Sequence, residues 1–113
     1  MRAPTHAPVY AAFFPILAEI AQKRGYALAV HGSLNSDMDL VAIPWTVTAV
    51  SADELVEALR LYAAQTMAMM FSAAGTLDGP EQKPHGRQAW SIIVGNGAVI
   101  DISVMPRVVS YKD

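Results

Sequence analysis

The sequence predicts an α+β fold, a mixed β-sheet of about four strands with two main helices packed on one face. Two long segments have apolar residues at helical spacing, and each is followed by two short apolar segments bounded by turn residues. The predicted order is therefore helix, strand, strand, helix, strand, strand. A length of 113 residues and a hydrophobic content of 53% suit a single domain, residues 1–113.

The first helix is predicted to begin near Pro8 and to end at Gly25. Proline is favoured in the first turn of a helix, and glycine is a common terminator because it adopts positive φ without strain. Pro15 lies inside this segment, so the helix either kinks there or becomes regular only from that residue. The predicted core-facing stripe consists of Val9, Phe13, Ile16 and Ile20.

The first two strands are predicted on either side of a short polar turn. The first spans about residues 27–31, and the second spans residues 38–43 and ends at Pro44, which cannot donate a hydrogen bond to a neighbouring strand. Successive side chains of a strand point to opposite faces. Asp37 and Asp39 therefore project to one face, and the apolar residues that alternate with them project to the other.

A Ser-x-x-Glu capping box at Ser51 and Glu54 predicts the start of the second helix. Helical spacing continues over residues 53–74, either as one helix or as a helix that breaks near Thr66. Residues 75–87 contain two prolines and three glycines and are predicted to form a loop. Two further strands, residues 89–94 and Ala98–Val104, follow as a hairpin with a Gly-Asn-Gly turn.

The charge and composition exclude several kinds of partner. Ten acidic and eight basic residues, without a run of like charges, argue against an extended nucleic-acid-binding surface. The absence of cysteine excludes disulfides and thiolate ligands. No apolar segment reaches the roughly 18 residues that a membrane-spanning helix needs, and Glu19 in the first apolar segment argues against a secretory signal. We therefore expect a cytoplasmic protein without membrane contact.

Three aspartates lie in or at the edge of predicted strands that are otherwise apolar: Asp37, Asp39 and Asp101. A buried charge is costly unless it is paired or bound to a metal. If the strand of Asp101 lies beside the strand of Asp39, the three carboxylates converge. Oxygen ligands without histidine or cysteine suit Mg²⁺ or Mn²⁺. Alternatively, the Asp-x-Asp pair belongs to a solvated turn, and Asp101 is an exposed residue after the hairpin.

Other polar residues near these positions suit phosphate binding. Gly32 and Ser33 follow the first strand, where backbone amides and a hydroxyl can hold phosphate oxygens. Lys83 and Arg87, with the histidine between them, form a basic cluster that either clamps phosphates or lies exposed in the loop. His31 suits a hydrogen-bonded position at the end of a strand better than a substrate-binding role.

The order of these elements resembles the nucleotidyltransferase superfold of the DNA polymerase beta type. It consists of a helix, a strand, the Gly32-Ser33 turn, the strand that opens with Asp37-x-Asp39, and Asp101 on a later strand. The resemblance covers residues 13–104 and corresponds to the minimal core of that fold. It implies transfer of a nucleoside monophosphate from a nucleoside triphosphate such as ATP. Asp37 and Asp39 would bind the metal ions.

The same resemblance implies further roles. Asp101 would bind the catalytic metal and help to activate the acceptor hydroxyl, while Gly32 and Ser33 would hold the triphosphate. Together with the Lys-Pro-His-Gly-Arg segment that begins at Lys83, the compact Gly-Ser-x-x-x-Asp-x-Asp motif also resembles small proteins carried by phages and prophages.

The turn between Gly32-Ser33 and Asp37 has only three residues, fewer than in most active members of the superfold. This leaves a second interpretation, a noncatalytic descendant that binds a nucleotide or a protein, with a phage or toxin–antitoxin role. For the catalytic interpretation, the acceptor is a protein, an RNA or a small molecule. We expect a partner protein or a homodimer to present it.

Overall fold

The computed structural model describes residues 6–32, 34 and 36–107. This part of the chain is an α+β fold with two α-helices and a five-stranded mixed sheet. The elements are α1 (Ala7–Gln22), β1 (Tyr26–His31), β2 (Asp37–Pro44), α2 (Ala52–Met67), β3 (Leu77–Gln82), a 3₁₀ turn (Pro84–Gly86), β4 (Gln88–Gly95) and β5 (Ala98–Val104). Within the described ranges, no helix is both long enough and apolar enough to cross a membrane.

The sheet has the strand order β1-β2-β5-β4-β3. β2 and β5 pair in parallel, whereas the other neighbouring strands pair antiparallel. In the parallel pair, Asp39 lies opposite Asp101. The two strands predicted to carry the aspartates are therefore direct neighbours at the centre of the sheet.

The core lies between one face of the sheet and the two helices. Alternate residues of β2 and β5 are buried there, among them Leu40 and Ile102. α1 packs against β1 and β2, α2 packs against β4, and the two helices contact each other. The opposite face of the sheet carries the polar residues of the central strands. The alternation of apolar and polar residues thus sends the aspartates to this face, which we call the open face.

The structure corrects the predicted loop at residues 75–87. This segment contains β3, so the sheet has five strands rather than four. β3 is an edge strand that pairs only with β4, and its register shifts between Asp78 and Glu81. An edge strand tolerates Pro80 because one side of its backbone has no neighbouring strand. Only Leu77 of this strand is not exposed, so no alternation of buried and exposed residues marks it in the sequence.

α1 runs without interruption through Pro15 and is followed by Gly25, whose φ is +89°. A Cβ atom at Gly25 would lie 2.6 Å from the Cα of Ala49, so this turn requires glycine. The predicted core stripe is correct at Phe13 but wrong at Ile16, which is 40% exposed. The buried stripe is displaced by about one residue from the predicted one, a rotation of roughly 100° about the helix axis, since 3.6 residues form a turn. Its buried residues are Tyr10, Phe13, Leu17 and Ala21.

α2 begins as the capping box predicts and ends close to the alternative break point. The Ser51 hydroxyl accepts a hydrogen bond of 3.2 Å from the backbone amide of Glu54. The helix ends at Met67 rather than continuing to residue 74. The sequence favours no single end point here, since apolar residues continue beyond the last helical turn.

Candidate functional site

A row of polar side chains crosses the open face from one edge strand to the other. Its members are consecutive register partners on the five strands: His31, Asp39, Asp101, Ser91 and Asp78. Register partners in neighbouring strands project to the same face. The backbone register thus fulfils the condition on which convergence of the carboxylates depends, that the strand of Asp101 lies beside the strand of Asp39.

Asp37 joins this row from the same face of β2, two residues before Asp39. The pKa of Asp37 is raised above its ordinary value of 3.8. The largest cause is partial desolvation, followed by the charge of Asp101 with a hydrogen bond to it, and then by the charge of Asp39. Like charges disfavour the ionised form of a carboxyl group. The three carboxylates are thus close enough to interact, although Asp37 itself is exposed.

Asp101 is held in place by a neighbouring strand. The hydroxyl of Ser91 on β4 donates a hydrogen bond of 2.6 Å to Oδ1 of Asp101. This contact restrains the orientation of the carboxylate. Ser91 was not among the residues singled out from the sequence.

The three aspartates provide the donors that a hard cation prefers, but their side chains do not already surround a site. In the described part of the chain, no group of three or more His, Cys, Asp or Glu side chains has the arrangement of a metal site. Neighbouring carboxylates repel one another when no cation lies between them. Their all-oxygen donor set fits Mg²⁺ or Mn²⁺, so Asp37, Asp39 and Asp101 are the residues that could hold such an ion.

The backbone of the turn before β2 approaches the carboxylates. Gly32 has a φ of +93°, and a Cβ atom there would lie 3.3 Å from Oδ2 of Asp39. A side chain at this position would press on the carboxylate, so glycine leaves room for it. Ser33, the second predicted phosphate ligand, lies outside the described residues.

Two open clefts lie on the open face on either side of Asp101, and Asp37 lines neither of them. One has a volume of about 570 Å³ and extends toward β1, and the other has a volume of about 540 Å³ and extends toward β3. Both are lined by Arg87, Asp101 and Ser103. Polar residues particular to one cleft are His31 and Asp39 on the β1 side and Asp78, Glu81, Lys83 and Ser91 on the β3 side.

Arg87 and Lys83 differ in how much of their charge remains available. A guanidinium nitrogen of Arg87 donates a hydrogen bond of 2.8 Å to the Ser103 hydroxyl, and no carboxylate in the described ranges forms an ion pair with it. The ammonium of Lys83 lies 3.2 Å from a carboxylate oxygen of Glu81. Arg87 is therefore the stronger candidate for an anionic ligand.

Tyr10 connects α1 to the site, and the sequence analysis did not single it out. Its hydroxyl donates a hydrogen bond of 2.5 Å to the carbonyl of Ser36 and accepts one of 3.0 Å from the amide of Val99. A buried tyrosine needs a partner for its hydroxyl. The backbone groups of Ser36 and Val99 meet that requirement.

We found no match to this chain among protein-family models, curated proteins or solved structures. The resemblance to nucleotidyltransferases therefore stays a prediction. What the geometry provides is a carboxylate cluster, an arginine without a described carboxylate partner, and two clefts that meet at Asp101. Chemically, the arrangement offers carboxylate oxygens to a cation and a guanidinium to an anionic group.

The raised pKa of Asp37 predicts how stability depends on pH. The pKa of this carboxyl is higher in the folded chain than in the unfolded chain. The protonated carboxyl therefore contributes to the stability of the fold at low pH, and this contribution is lost as pH rises through the raised pKa. We expect Asp37→Asn to stabilise the metal-free chain at pH 7 by about 0.5 kcal/mol, a figure kept small because solvent screens the exposed carboxyl.

Urea denaturation in the presence of a chelator checks this expectation. The gain should vanish at about pH 3, where the wild-type carboxyl is protonated in both states. Asp53→Asn is the contrasting control, because loss of a negative charge from the first turn of α2 should lower stability at pH 7 rather than raise it. An Asp37→Asn variant no more stable than wild type at pH 7, or a gain that persists at low pH, would contradict the like-charge interaction.

Proposed function

We propose that this chain is a metal-dependent nucleotidyltransferase. An acceptor hydroxyl would lose its proton and attack the α-phosphorus of a nucleoside triphosphate, so that the nucleoside monophosphate is transferred to the acceptor and pyrophosphate leaves. One observation carries the proposal. Asp39 and Asp101 are register partners on the central parallel strands, and Asp37 interacts with both from the same face. A cluster of carboxylates beside an arginine suits chemistry that depends on positioning and on neutralising negative charge.

In this proposal the aspartates have distinct tasks. Asp37 and Asp39 hold the metal ions, while Asp101 binds the catalytic ion and helps to activate the acceptor hydroxyl. When bound, Mg²⁺ or Mn²⁺ would neutralise the transferred phosphate and the carboxylates. The hydrogen bond from Ser91 on β4 holds one oxygen of the Asp101 carboxylate in place.

The anionic part of the nucleotide has two sets of partners in this proposal. The backbone at Gly32, together with Ser33, contacts phosphate oxygens on the β1 side. Arg87 reaches both clefts and supplies a planar donor group suited to phosphate. Lys83 adds positive charge on the β3 side, reduced by its ion pair with Glu81. Arg87 thereby offers a guanidinium to phosphates in either cleft.

Incubation with each α-phosphate-labelled nucleoside triphosphate, Mg²⁺ or Mn²⁺, and a cell extract tests the proposal, because the acceptor need not be known in advance. We expect metal-dependent transfer of label to a component of the extract or to the chain itself. Asp39→Asn should abolish the transfer, since it removes a charged metal ligand. Asp53→Asn, in the first turn of α2 and outside the lining of both clefts, should transfer label at the wild-type rate.

The outcomes separate the two interpretations of the sequence. Label transfer that survives Asp39→Asn would contradict the proposed site. Nucleotide binding without transfer, for every nucleotide and metal tested, would instead favour a noncatalytic nucleotide-binding module. Absence of both nucleotide and metal binding would leave a protein-binding module as the better interpretation.

A further inference from the structure

We infer that Tyr10 is a positioning residue of the carboxylate site, because its hydroxyl ties α1 to the backbone that carries Asp37 and to the backbone that carries Asp101. This inference rests on the proposed function, since it assigns Tyr10 a role in the site of that reaction. It adds a residue from the helical layer to a site otherwise formed by the sheet and its turns.

The two hydrogen bonds of Tyr10 meet the site at the start of both central strands. The carbonyl that accepts from its hydroxyl belongs to Ser36, the residue directly before Asp37. The amide that donates to its hydroxyl belongs to Val99, two residues before Asp101. Asp37 and Val99 are themselves register partners at the first step of the parallel pairing. One hydroxyl group therefore spans the two strands where the carboxylates begin.

The position of Tyr10 makes this connection rigid. Its side chain has no solvent exposure, and burial limits the freedom of its ring. Burial raises the pKa of Tyr10, the hydrogen bond from Val99 opposes this shift, and the charges of Asp37, Asp101 and Asp39 add to it. A shift of the Ser36 carbonyl would move the backbone of Asp37 relative to Asp101.

A purely structural role for Tyr10 needs a control, and Tyr26 provides one. Its hydroxyl also donates to a backbone carbonyl, that of Val50, at 2.7 Å. Its side chain is 4% exposed, and burial raises its pKa as well. Tyr26 begins β1 and pairs with Pro44, at the end of β2 opposite to Asp37. Replacement by phenylalanine removes the same chemical group from both tyrosines, but only one of them contacts the carboxylate site.

The test measures Mn²⁺ binding by isothermal titration calorimetry on the wild-type chain, Tyr10→Phe and Tyr26→Phe, well below the unfolding temperature of each. We expect Tyr10→Phe to weaken Mn²⁺ binding about 10-fold, as is typical for partners that orient metal ligands. Tyr26→Phe should bind Mn²⁺ as the wild-type chain does, even though it loses a comparable hydrogen bond. Circular dichroism verifies that both variants are folded.

Equal affinities for wild type and Tyr10→Phe would overturn the role of Tyr10 while leaving the metal site in place. Equal weakening in the two tyrosine variants would also overturn it, since the effect would then follow stability alone. No Mn²⁺ binding by the wild-type chain would overturn the metal site, and the role of Tyr10 with it. These results therefore distinguish failure of the inference from failure of the proposed function.

A measurement on the wild-type chain tests the inference even if Tyr10→Phe does not fold. The ¹³Cζ chemical shift of a tyrosine responds to the hydrogen bonds of its hydroxyl. Titration with Mg²⁺ should change this shift for Tyr10 and leave that of Tyr26 unchanged, because only Tyr10 contacts the backbone of the site. If the ¹³Cζ chemical shift of Tyr10 stays the same when the chain is saturated with Mg²⁺, the inference is overturned.

Discussion

Replacing Asp101 with asparagine is expected to reduce the rate of nucleotidyl transfer about 1000-fold, the loss typical of a group that takes part in proton transfer at the reacting hydroxyl. Asp101 lies where the two clefts meet, so it can contact both the cation and an incoming acceptor. Asparagine keeps the size of the side chain but removes the charge and one acceptor oxygen. The affinity for the nucleotide should change far less than the rate.

Single-turnover rates at saturating nucleotide measure this effect. Ser91→Ala provides an intermediate variant, because it leaves the carboxylate of Asp101 intact and removes only the hydrogen bond that orients it. We expect it to lose about 10-fold, the lower end for partners that orient metal ligands. A rate for Asp101→Asn within about tenfold of wild type would exclude Asp101 from the reaction, since general catalysis contributes more than that.

Replacing Arg87 with glutamine is expected to weaken nucleotide binding about 30-fold. Hydrogen bonds to charged groups contribute about 1.5–3 kcal/mol each. Loss of one such bond corresponds to a roughly 10- to 150-fold weaker affinity, which includes the expected value. Arg87 lines both clefts, and no described carboxylate forms an ion pair with it. Arg87→Lys should recover only part of the affinity, because an ammonium group cannot form paired hydrogen bonds to a phosphate.

Equilibrium dialysis with a nonhydrolysable nucleotide measures the effect, and Lys83 supplies an informative comparison. Lys83→Gln should weaken binding much less than Arg87→Gln, since Glu81 already neutralises part of its charge. Arg24→Gln, at the C-terminal end of α1, is the control for loss of a positive charge outside the clefts. Equal affinities for wild type and Arg87→Gln, or a larger loss for Lys83→Gln, would contradict the assigned roles.

The strands that carry the aspartates could be predicted because each is a short apolar segment with polar residues at alternate positions. That pattern alone sets Asp37 and Asp39 on one face. The pairing of Asp39 with Asp101 required an assumption, since strand order and direction depend on how the whole sheet packs. The observed register supplies this information, and the candidate site depends on it.

β3 could not be predicted because it is formed by pairing with β4 rather than by its own composition. It contains Gly79 and Pro80, residues that usually indicate a loop, and almost all of its side chains are exposed. Backbone hydrogen bonds to β4 hold it at the edge of the sheet. This strand places Asp78 and Glu81 beside the second cleft, which was therefore absent from the predicted site.

Two supporting residues were missed for different reasons. Ser91 had a detectable signal, since it is a polar residue at an alternate position of an apolar strand, as Asp101 is. Tyr10 had a weaker one, because the predicted stripe of α1 was rotated by about one residue and placed its neighbour Val9 in the core. The contacts of Tyr10 with Ser36 and Val99 are long-range and become visible only in the folded chain.

The most direct test of the carboxylate site is a crystal structure of the wild-type chain with Mn²⁺ and a nonhydrolysable nucleoside triphosphate. Anomalous scattering locates manganese independently of the model of the protein. The proposal predicts an anomalous peak within coordination distance of carboxylate oxygens of Asp37, Asp39 and Asp101, with the phosphates extending toward Arg87. Manganese bound elsewhere, or nucleotide bound with no peak among the three aspartates, would contradict it.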